Sequence, residues 1–358
     1  MTRSVLVTGA AGFIGANFVH HWAQNHPEDC LVAFDKLTYA GNRQSLAELE
    51  QQGQVHFVEA DICDAAAVSR ALKDYAVDTV VHFAAESHVD RSITGPDAFI
   101  QTNVVGTHTL LAAAKDAWLG GSGRPHRFHH VSTDEVFGSL TADDPAFHEQ
   151  LRYQPNSPYS ASKAGGDHLV RAYHHTYGLD VTTSNYSNNY GPFHFPEKLI
   201  PLCLLNILMG ESLPIYGDGK QIRDWLFVDD HARGIELIIR NGRRGETYNI
   251  GGNNEWANID VVKLLCSIVD QRFADNPRLS GRFPDSPCAS ATPAGSLIAY
   301  VEDRPGHDTR YAINAEKIMT ELGYQPVEDF ESGLNKTVNW YLANEAWWQS
   351  ILNGSTCS

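Results

Sequence analysis

The glycine-rich segment near the N-terminus places the strongest constraint on the fold. A short apolar run, Ser4 to Thr8, leads directly into Gly9, Gly12 and Gly15, and apolar residues at helical spacing follow from Ala16 to Trp22. Glycines at this spacing let the chain turn sharply, approach a pyrophosphate and pack a helix against the strand, with the helix N-terminus facing the anion. Glycine-rich turns are common, but the strand before this one and the helix after it predict a dinucleotide-binding turn.

A single acidic residue indicates which dinucleotide the chain binds. The second predicted strand, Leu31 to Phe34, ends at Asp35, twenty residues beyond Gly15. A carboxylate at this position can accept hydrogen bonds from the adenosine ribose hydroxyls and would repel a 2'-phosphate. The residue therefore favours NAD over NADP, although an aspartate that only caps a loop is an alternative.

Strands and helices alternate through the first half of the chain. The pattern predicts strands at 55–58, 79–85 and 128–131, with helices at 65–74 and 99–118. This alternation is typical of an α/β fold with a Rossmann-type doubly wound parallel sheet, in which ligands lie outside the carboxyl ends of the strands. We therefore expect several loops to converge on one crevice. These loops follow Gly9, Asp35, Asp61, Ala85 and Ser132.

Composition excludes several other kinds of function. The 358 residues suffice for about two domains. A net charge of -16 argues against nucleic acid or an anionic membrane as the main partner. The six cysteines lack metal-ligand spacing, so we expect reduced thiols, no metal and a cytoplasmic location. Without a leader pattern or a long apolar run, neither a signal peptide nor a membrane helix is expected.

Two groups of reactive side chains lie between residues 132 and 163. Tyr159 and Lys163 are four residues apart and would share one face of a helix. A lysine ammonium beside a phenol favours the phenolate, which can act as a base toward an alcohol. Thr133, Asp134 and Glu135 follow a predicted strand and offer a hydroxyl and two carboxyl groups. Either group alone could also be an ordinary solvated pair or turn.

A series of further motifs makes the pattern specific. They are Asp35-Lys36-Leu37-Thr38-Tyr39-Ala40-Gly41-Asn42, Ala85-Glu86-Ser87-His88-Val89-Asp90-Arg91-Ser92, Thr133-Asp134-Glu135-Val136, Asn188-Asn189-Tyr190-Gly191-Pro192, Phe195-Pro196-Glu197-Lys198-Leu199-Ile200-Pro201, Arg223-Asp224-Trp225 and Asp303-Arg304-Pro305-Gly306-His307-Asp308. Together with the glycine turn and the Tyr159/Lys163 pair, they resemble the bacterial dTDP-glucose 4,6-dehydratase family of extended short-chain dehydrogenases/reductases. The resemblance runs from about Val5 to about Gly323 and rests on the order and spacing of the motifs.

The resemblance implies a complete reaction. A nucleotide-linked glucose is oxidised at C4, loses water across C5 and C6, and receives the hydride back at C6, so that tightly bound NAD is regenerated in each cycle. Tyr159, assisted by Lys163, would take the C4 hydroxyl proton while Thr133 holds the C4 oxygen. Glu135 would remove the C5 proton, and a protonated Asp134 would donate to the departing C6 hydroxyl. A sugar-nucleotide 4-epimerase needs no such acidic pair.

The family's binding residues carry over to matching positions. Those expected to contact the cofactor are Gly9, Gly12, Phe13, Ile14, Gly15, Asp35, Lys36, Leu37, Thr38, Asp61, Ile62, Ala84, Ala85, Ser87, Thr102, Tyr159, Lys163 and Asn189. Those expected to contact the nucleotide sugar are Ser87, Thr133, Asn188, Lys198, Leu199, Pro214, Ile215, Tyr216, Arg223, Asn258, Asp303, Arg304 and His307. Pro214 to Tyr216 could equally form a buried strand, and each arginine could only bridge surface charges.

We expect a smaller α/β substrate-binding domain interleaved with the Rossmann domain. The predicted division is 1–190 with about 225–255 for NAD, about 191–224 with 256–340 for the nucleotide sugar, and a tail at 341–358. Residues 226–231 and 246–252 are predicted strands that return to the first domain. The segment 276–296, rich in Pro, Ser, Gly and Ala, predicts a long mobile loop, and the tail at 353–358 is expected to fray.

Three alternatives stay open at this stage. The enzyme could be a 4,6-dehydratase of a UDP- or GDP-sugar, or a 4-epimerase, because the choice of base depends on loop geometry. A non-catalytic NAD-binding regulator with the same fold would be expected to lack Tyr159, Lys163 or the acidic pair, all of which are present.

The superfamily also leads us to expect a homodimer, formed by the helix before the 128–131 strand and the helix that carries Tyr159.

Overall fold

The computed structural model describes residues 2–303 and 308–354, and alternating strands and helices form its first half. The strands are β1 Ser4–Thr8, β2 Cys30–Asp35, β3 His56–Glu59, β4 Thr79–His82, β5 Arg127–Val131, β6 Val181–Tyr186, β7 Asn188–Tyr190, β8 Leu213–Tyr216, β9 Ile222–Phe227, β10 Thr247–Ile250, β11 Glu255–Ala257, β12 Ile298–Val301 and β13 Arg310–Tyr311. The helices are α1 Phe13–Asn25, α2 Ala47–Gln51, α3 Ala65–Asp74, α4 Val89–Thr94, α5 Asp97–Phe99, α6 Thr107–Ala117, α7 Pro158–Tyr177, α8 Leu199–Met209, α9 Val228–Asn241, α10 Asn258–Asp275, α11 Arg278–Arg282, α12 Glu316–Leu322, α13 Phe330–Ala343 and α14 Glu345–Leu352. A π-helical stretch, Ile100–Gly106, connects α5 to α6.

The predicted doubly wound sheet is confirmed. Within the described residues, strands lie in the order β10-β6-β5-β4-β1-β2-β3, and every neighbouring pair is parallel. Apolar runs in β1 and β2 allow these strands to be buried on both faces, as parallel strands require. The chain order reverses between β1 and β4, and the crevice at such a reversal is where ligands bind in open α/β sheets.

Helices cover both faces of this sheet. On one face, α3, α6 and α7 contribute Val68, Leu111 and Val170 to an apolar cluster with β1 and β2. On the other face, α1 and α9 pack together and bury Trp22 and Ile238. Each helix therefore presents its apolar stripe to the sheet, which fixes the loops at the carboxyl edge.

The second half of the chain builds a smaller unit beside that edge. Strands β11, β9 and β13 form one small sheet, with β7 paired to β9, and β12 pairs with β8. Helices α8, α10, α13 and α14 share an apolar cluster with these strands. Consistent with an interleaved chain, β10 returns to the edge of the large sheet beside β6.

Two sequence predictions about this half are wrong. Residues 226–231 do not form a strand of the large sheet: β9 ends at Phe227 within the small sheet, and 228–231 begin α9, whose buried face has a helical period. The segment 276–296 is not an open loop, because α11 and short helical turns bury Leu279, Phe283 and Cys288 in the apolar cluster. The tail predicted to fray, 353–358, begins after α14, which extends to Leu352 because Ile351 packs into the same cluster.

Neither a membrane-spanning helix nor a metal-binding group of side chains is found in residues 2–303 and 308–354. Within these ranges no helix combines the length and apolarity needed to cross a membrane. Nor do His, Cys, Asp and Glu side chains in these ranges form a group suited to holding a metal ion.

Candidate active site

A cleft of about 530 Å³ lies along the carboxyl ends of the large sheet and beside the smaller unit. Most of the predicted site residues line it. They are Gly9, Gly12, Phe13, Ile14, Gly15, Asp35, Lys36, Thr38, Asp61, Ile62, Ala84, Ala85, Ser87, Thr102, Thr133, Asp134, Glu135, Tyr159, Lys163, Asn188, Asn189, Lys198, Leu199, Pro214, Tyr216, Arg223 and Asn258.

The glycine turn has no room for side chains. A Cβ at Gly15 would overlap the carbonyl oxygen of Gly9, and a Cβ at Gly9 would lie 2.6 Å from the backbone nitrogen of Ala84. Gly9 also has a φ of +67°, which disfavours other residues. Gly12 is the N-cap of α1 and provides no capping side chain, so the first N–H groups of the helix are available to an anion. This cradle fits the pyrophosphate of a dinucleotide.

Asp35 is held rigidly at the end of β2. Its Oδ2 accepts a hydrogen bond from the Ala11 N–H at 2.9 Å, and its Oδ1 accepts one from the Leu37 N–H at 2.8 Å. Burial raises the pKa of the carboxyl group, while these backbone donors oppose that shift. The fixed carboxyl oxygens keep further lone pairs for ribose hydroxyls. Next to it, Lys36 and Asp61 form an ion pair at 2.6 Å at the edge of the cleft.

The helix α7 positions Tyr159 and Lys163. Ser157 caps the helix by accepting from the Ser160 N–H at 3.0 Å, and Pro158 occupies the first turn. Lys163 Nζ donates to the Val131 carbonyl at 2.8 Å, which fixes the ammonium group at the end of β5. Burial lowers the pKa of Lys163 to about 8, and the charge of Asp167 opposes that shift.

Tyr159 is buried beside the acidic pair. Burial, followed by the nearby Tyr186 and Glu135, raises the pKa of its phenol well above the usual value, while a hydrogen bond with Thr133 lowers it. The predicted phenolate depends on the cationic nicotinamide as well as on Lys163. A sequence does not show how completely a side chain is removed from water, so the effect of burial on this pKa could not be predicted from it.

Asp134 has the environment expected of a general acid. It is 3% exposed, and its Oδ2 has no hydrogen-bond partner among the described residues. Burial, then the charges of Glu135 and Asp224, raise the pKa of Asp134 well above its usual value, against a smaller opposing effect of Arg223. Glu135 is more accessible and donates its N–H to Thr133 Oγ1 at 3.3 Å. The two adjacent carboxyl groups thus have clearly different surroundings, as an acid and a base require.

Arg223 is the buried cation on the other side of the cleft. Its guanidinium group donates to the carbonyl oxygens of Ile222 at 2.7 Å and Asp308 at 2.9 Å, and its Cζ lies 4.3 Å from the centroid of the Tyr311 ring. These contacts hold the planar group in one orientation. A guanidinium fixed in this way is suited to a diphosphate, because its N–H fork matches phosphate oxygens.

Comparisons with known proteins agree with this geometry. The family model described as GDP-mannose 4,6 dehydratase matches residues 6–337. A dTDP-glucose 4,6-dehydratase of Neisseria meningitidis serogroup B is 54% identical over 356 residues, which are 99% of this chain and 97% of that protein. The chain belongs to the dTDP-glucose 4,6-dehydratase family. This result confirms the resemblance, the α/β fold and the type of reaction that the sequence predicted.

Solved structures support the family assignment and the cofactor. A double mutant of DesIV, a dTDP-glucose 4,6-dehydratase of Streptomyces venezuelae crystallised with NAD, matches this dehydratase with a TM-score of 0.85 at 46% identity, covering 97% of this chain and 99% of that one. A UDP-glucose 4-epimerase of Thermotoga maritima has a TM-score of 0.81 but 25% identity, with 96% and 99% covered. Fold alone therefore does not separate the two activities, whereas sequence identity and the acidic pair favour the dehydratase.

Some predicted site residues of the dehydratase lie elsewhere. Ile215 is buried beneath the cleft, because side chains alternate along β8 and only Pro214 and Tyr216 face the cavity. Leu37 contributes its N–H to Asp35 and does not line the cavity, and Asp303 accepts from Gln221 at 3.0 Å away from it. Arg304 and His307 lie outside the described residues.

Other cleft residues were missed. Tyr186 ends β6, the next parallel strand, and Ser187 follows it, so the rule that strand ends meet at one edge could have found both. Glu197 lies at the mouth, where it accepts from the Tyr39 hydroxyl at 3.3 Å and has His88 Nε2 at 3.6 Å. That grouping joins three loops that are far apart in the chain, and no local signal reveals it.

Proposed function

We propose that this dehydratase converts dTDP-glucose to dTDP-4-dehydro-6-deoxyglucose and water, and that its reactive side chains divide the work as the family resemblance suggests. One observation carries the proposal: a fully buried Asp134 with a raised pKa lies beside Glu135 in the same cleft as Tyr159 and the glycine turn. An epimerase has no step that uses this acid. NAD, when bound, accepts the hydride from C4 and returns it to C6.

The first step is proton removal from the C4 hydroxyl by Tyr159. The hydrogen bond with Thr133 favours the phenolate and burial opposes it, while the ammonium group of Lys163, which lines the same cleft, would also favour it. An additional positive charge in the cleft, such as an oxidised nicotinamide, is therefore needed to make Tyr159 a base. Thr133 then holds the C4 oxygen as the ketone forms.

The second step is the loss of water, which the acidic pair performs. The C4 ketone acidifies the C5 hydrogen, and the more accessible Glu135 removes it. Asp134 donates its proton to the C6 hydroxyl, which leaves as water. The buried surroundings of Asp134 suit this role, because they keep its carboxyl group neutral at a pH where an exposed aspartate is ionised.

Binding uses both halves of the chain. The glycine turn and Asp35 would hold NAD, and Arg223, Lys198 and Asn258 would hold the nucleotide sugar. We also propose the domain division given by the sequence, in which β10 returns to the NAD-binding part.

Asp134→Asn tests the division of roles. The variant should still oxidise C4 and exchange the C5 proton with deuterated solvent, because these steps use Tyr159 and Glu135. Product formation should fall by about 10²- to 10⁴-fold, the usual contribution of a positioned acid. Mass spectrometry of the recovered substrate measures the exchange, and Glu135→Gln serves as the matched control that should lose exchange as well. Ordinary product formation by Asp134→Asn would refute the assignment.

A cytoplasmic homodimer completes the proposal. On the helices that the superfamily uses for pairing, apolar side chains stay exposed: Ile100 and Val105 near α6, and Tyr177 at the end of α7, are 49%, 39% and 51% exposed. A second copy of the chain would cover them. Light scattering should give twice the mass of the 39.5 kDa chain, and a mass of one chain at micromolar concentration would contradict the dimer.

A further inference from the structure

The proposed reaction leaves one proton out of place after each turnover. Tyr159 gains the proton of the C4 hydroxyl, and Asp134 gives its own proton to the C6 hydroxyl that leaves as water. Glu135 takes the C5 proton and can return it to C5. At the end Tyr159 is a neutral phenol and Asp134 is a carboxylate. One proton therefore has to pass from Tyr159 to Asp134 before the next turnover can begin.

The hydroxyl group of Thr133 lies between these two side chains. This hydroxyl can donate either to Asp134 Oδ1, 3.4 Å from Oγ1, or to the Tyr159 phenol, whose pKa that second hydrogen bond lowers. The Glu135 N–H donates to Oγ1 at 3.3 Å, because Thr133 caps the helical turn that follows. Backbone capping thus fixes the position of the hydroxyl. A hydroxyl group can accept one proton while it releases another.

Bulk water has little access to this group of side chains. Thr133, Asp134 and Tyr159 are 4%, 3% and 4% exposed. Burial and the charges of Glu135 and Asp224 oppose an ionised Asp134 and raise its pKa, so the carboxylate left after a turnover is a strong proton acceptor. The phenol of Tyr159, which holds the proton to be returned, lines the same cleft and is influenced by the Thr133 hydroxyl.

We propose that Thr133 relays the proton from Tyr159 to Asp134 and so restores the site after each turnover. Thr133 Oγ1 takes the phenolic proton while its own proton passes to Asp134 Oδ1. An O–H bond breaks on Tyr159 and one forms on Asp134, while Thr133 is unchanged overall and no electrons are transferred. The relay rests on the proposed roles of Tyr159 and Asp134, and it adds a second task to Thr133 beyond holding the C4 oxygen.

The relay predicts that first and later turnovers differ once the hydroxyl is removed. Thr133→Val keeps the shape of the side chain but cannot pass a proton. In rapid-quench experiments with dTDP-glucose, Asp134 starts protonated, so one product molecule should form per site in an initial phase. Later turnovers should then be slower by about 10²-fold. Thr133→Val also loses the contact to the C4 oxygen, but that loss slows the first and the later turnovers equally. Thr133→Ser is the control: it keeps the hydroxyl and should show no initial burst.

Two further measurements separate slow proton return from slow product release. The slow phase of Thr133→Val should become slower still in D₂O, because proton transfer limits it. Infrared difference spectra should show that the protonated carboxyl band of Asp134, assigned with Asp134→Asn, disappears after the first turnover of Thr133→Val. The same band should persist in Thr133→Ser.

The possible outcomes distinguish failure of the relay from failure of the roles proposed for Tyr159 and Asp134. Equal slowing of first and later turnovers in Thr133→Val, or a slow phase that D₂O leaves unchanged, would overturn the relay while leaving the other roles intact. Normal turnover in Tyr159→Phe or Asp134→Asn would overturn those roles instead. If Thr133→Val does not fold, Thr133→Ala lacks the same hydroxyl and carries the same expectation.

Discussion

Asp224 should lower the stability of the protein at neutral pH. It is 1% exposed and lies behind the cleft, where burial raises its pKa from 3.8 to about 6 although the Asn254 N–H donates a hydrogen bond to Oδ1. A shift of about two pKa units corresponds to about 3 kcal/mol. Because the pKa is higher in the folded state, the protonated carboxyl group stabilises the fold by this amount below about pH 4. This contribution is lost as the pH rises through about 6, where the buried group becomes ionised.

Asp224→Asn removes this titration and allows the magnitude to be estimated. The amide oxygen can still accept from the Asn254 N–H, now at 2.7 Å, and the amide NH₂ would take the place of Oδ2, which has no hydrogen-bond partner among the described residues. A buried NH₂ group that gains no acceptor costs about 1 to 1.5 kcal/mol. We therefore expect the variant to be more stable than the wild-type protein by about 1.5 to 2 kcal/mol at pH 8, and less stable by about 1 kcal/mol at pH 4.

Urea unfolding at pH 4, 6 and 8 measures this difference. Asp143→Asn, at an exposed loop position, is the matched control and should leave the free energy of unfolding unchanged at each pH. A stability difference for Asp224→Asn that is the same at all three pH values would refute the reasoning. Because the charge of Asp224 helps to keep Asp134 protonated, the variant should also lose turnover at a lower pH than the wild-type protein.

Two further predictions concern the cofactor site. Gly15→Ala should reduce the free energy of unfolding by about 1 to 3 kcal/mol, because the new Cβ would overlap the backbone of Gly9, which cannot give way. Gly120→Ala is the control, since a Cβ at Gly120 meets open space. Equal melting temperatures for the two variants would contradict this reasoning. After removal of bound cofactor, calorimetry should show at least about 10²-fold tighter binding of NAD than of NADP, because Asp35 and a 2'-phosphate about 4 Å apart repel by several kcal/mol; equal affinities would show that Asp35 does not read the ribose.

Much of the first half of the molecule is predictable from its sequence. The helix α3 and the strand β1 begin and end where the sequence predicts, and the ends of β2 and β5 deviate from prediction by at most one residue. These elements have strong local signals, namely apolar strands, amphipathic helices and glycines at turns. The convergence of Asp35, Thr133 and Tyr159 on one cleft then follows from parallel topology alone.

The rest depends on contacts that the sequence does not display. Whether 228–231 belongs to a strand or a helix is decided by packing, because a short apolar run fits either. The segment 276–296 has a loop-like composition, yet Leu279 and Phe283 fill space between α10 and α14. The pKa of Tyr159 is governed by its burial, a property of the folded chain. The motifs predicted to carry the chemistry therefore meet in one cleft, while the pKa shifts of their side chains depend on the folded chain.

The most direct test of the central claim is mass spectrometry of dTDP-glucose, UDP-glucose and GDP-mannose, each incubated with the protein and NAD. The account predicts that dTDP-glucose alone loses one water molecule, with no net formation of NADH. Loss of water from UDP-glucose or GDP-mannose instead would keep the chemistry of the acidic pair and contradict the substrate. If all three sugars keep their mass, the dehydratase mechanism itself is contradicted.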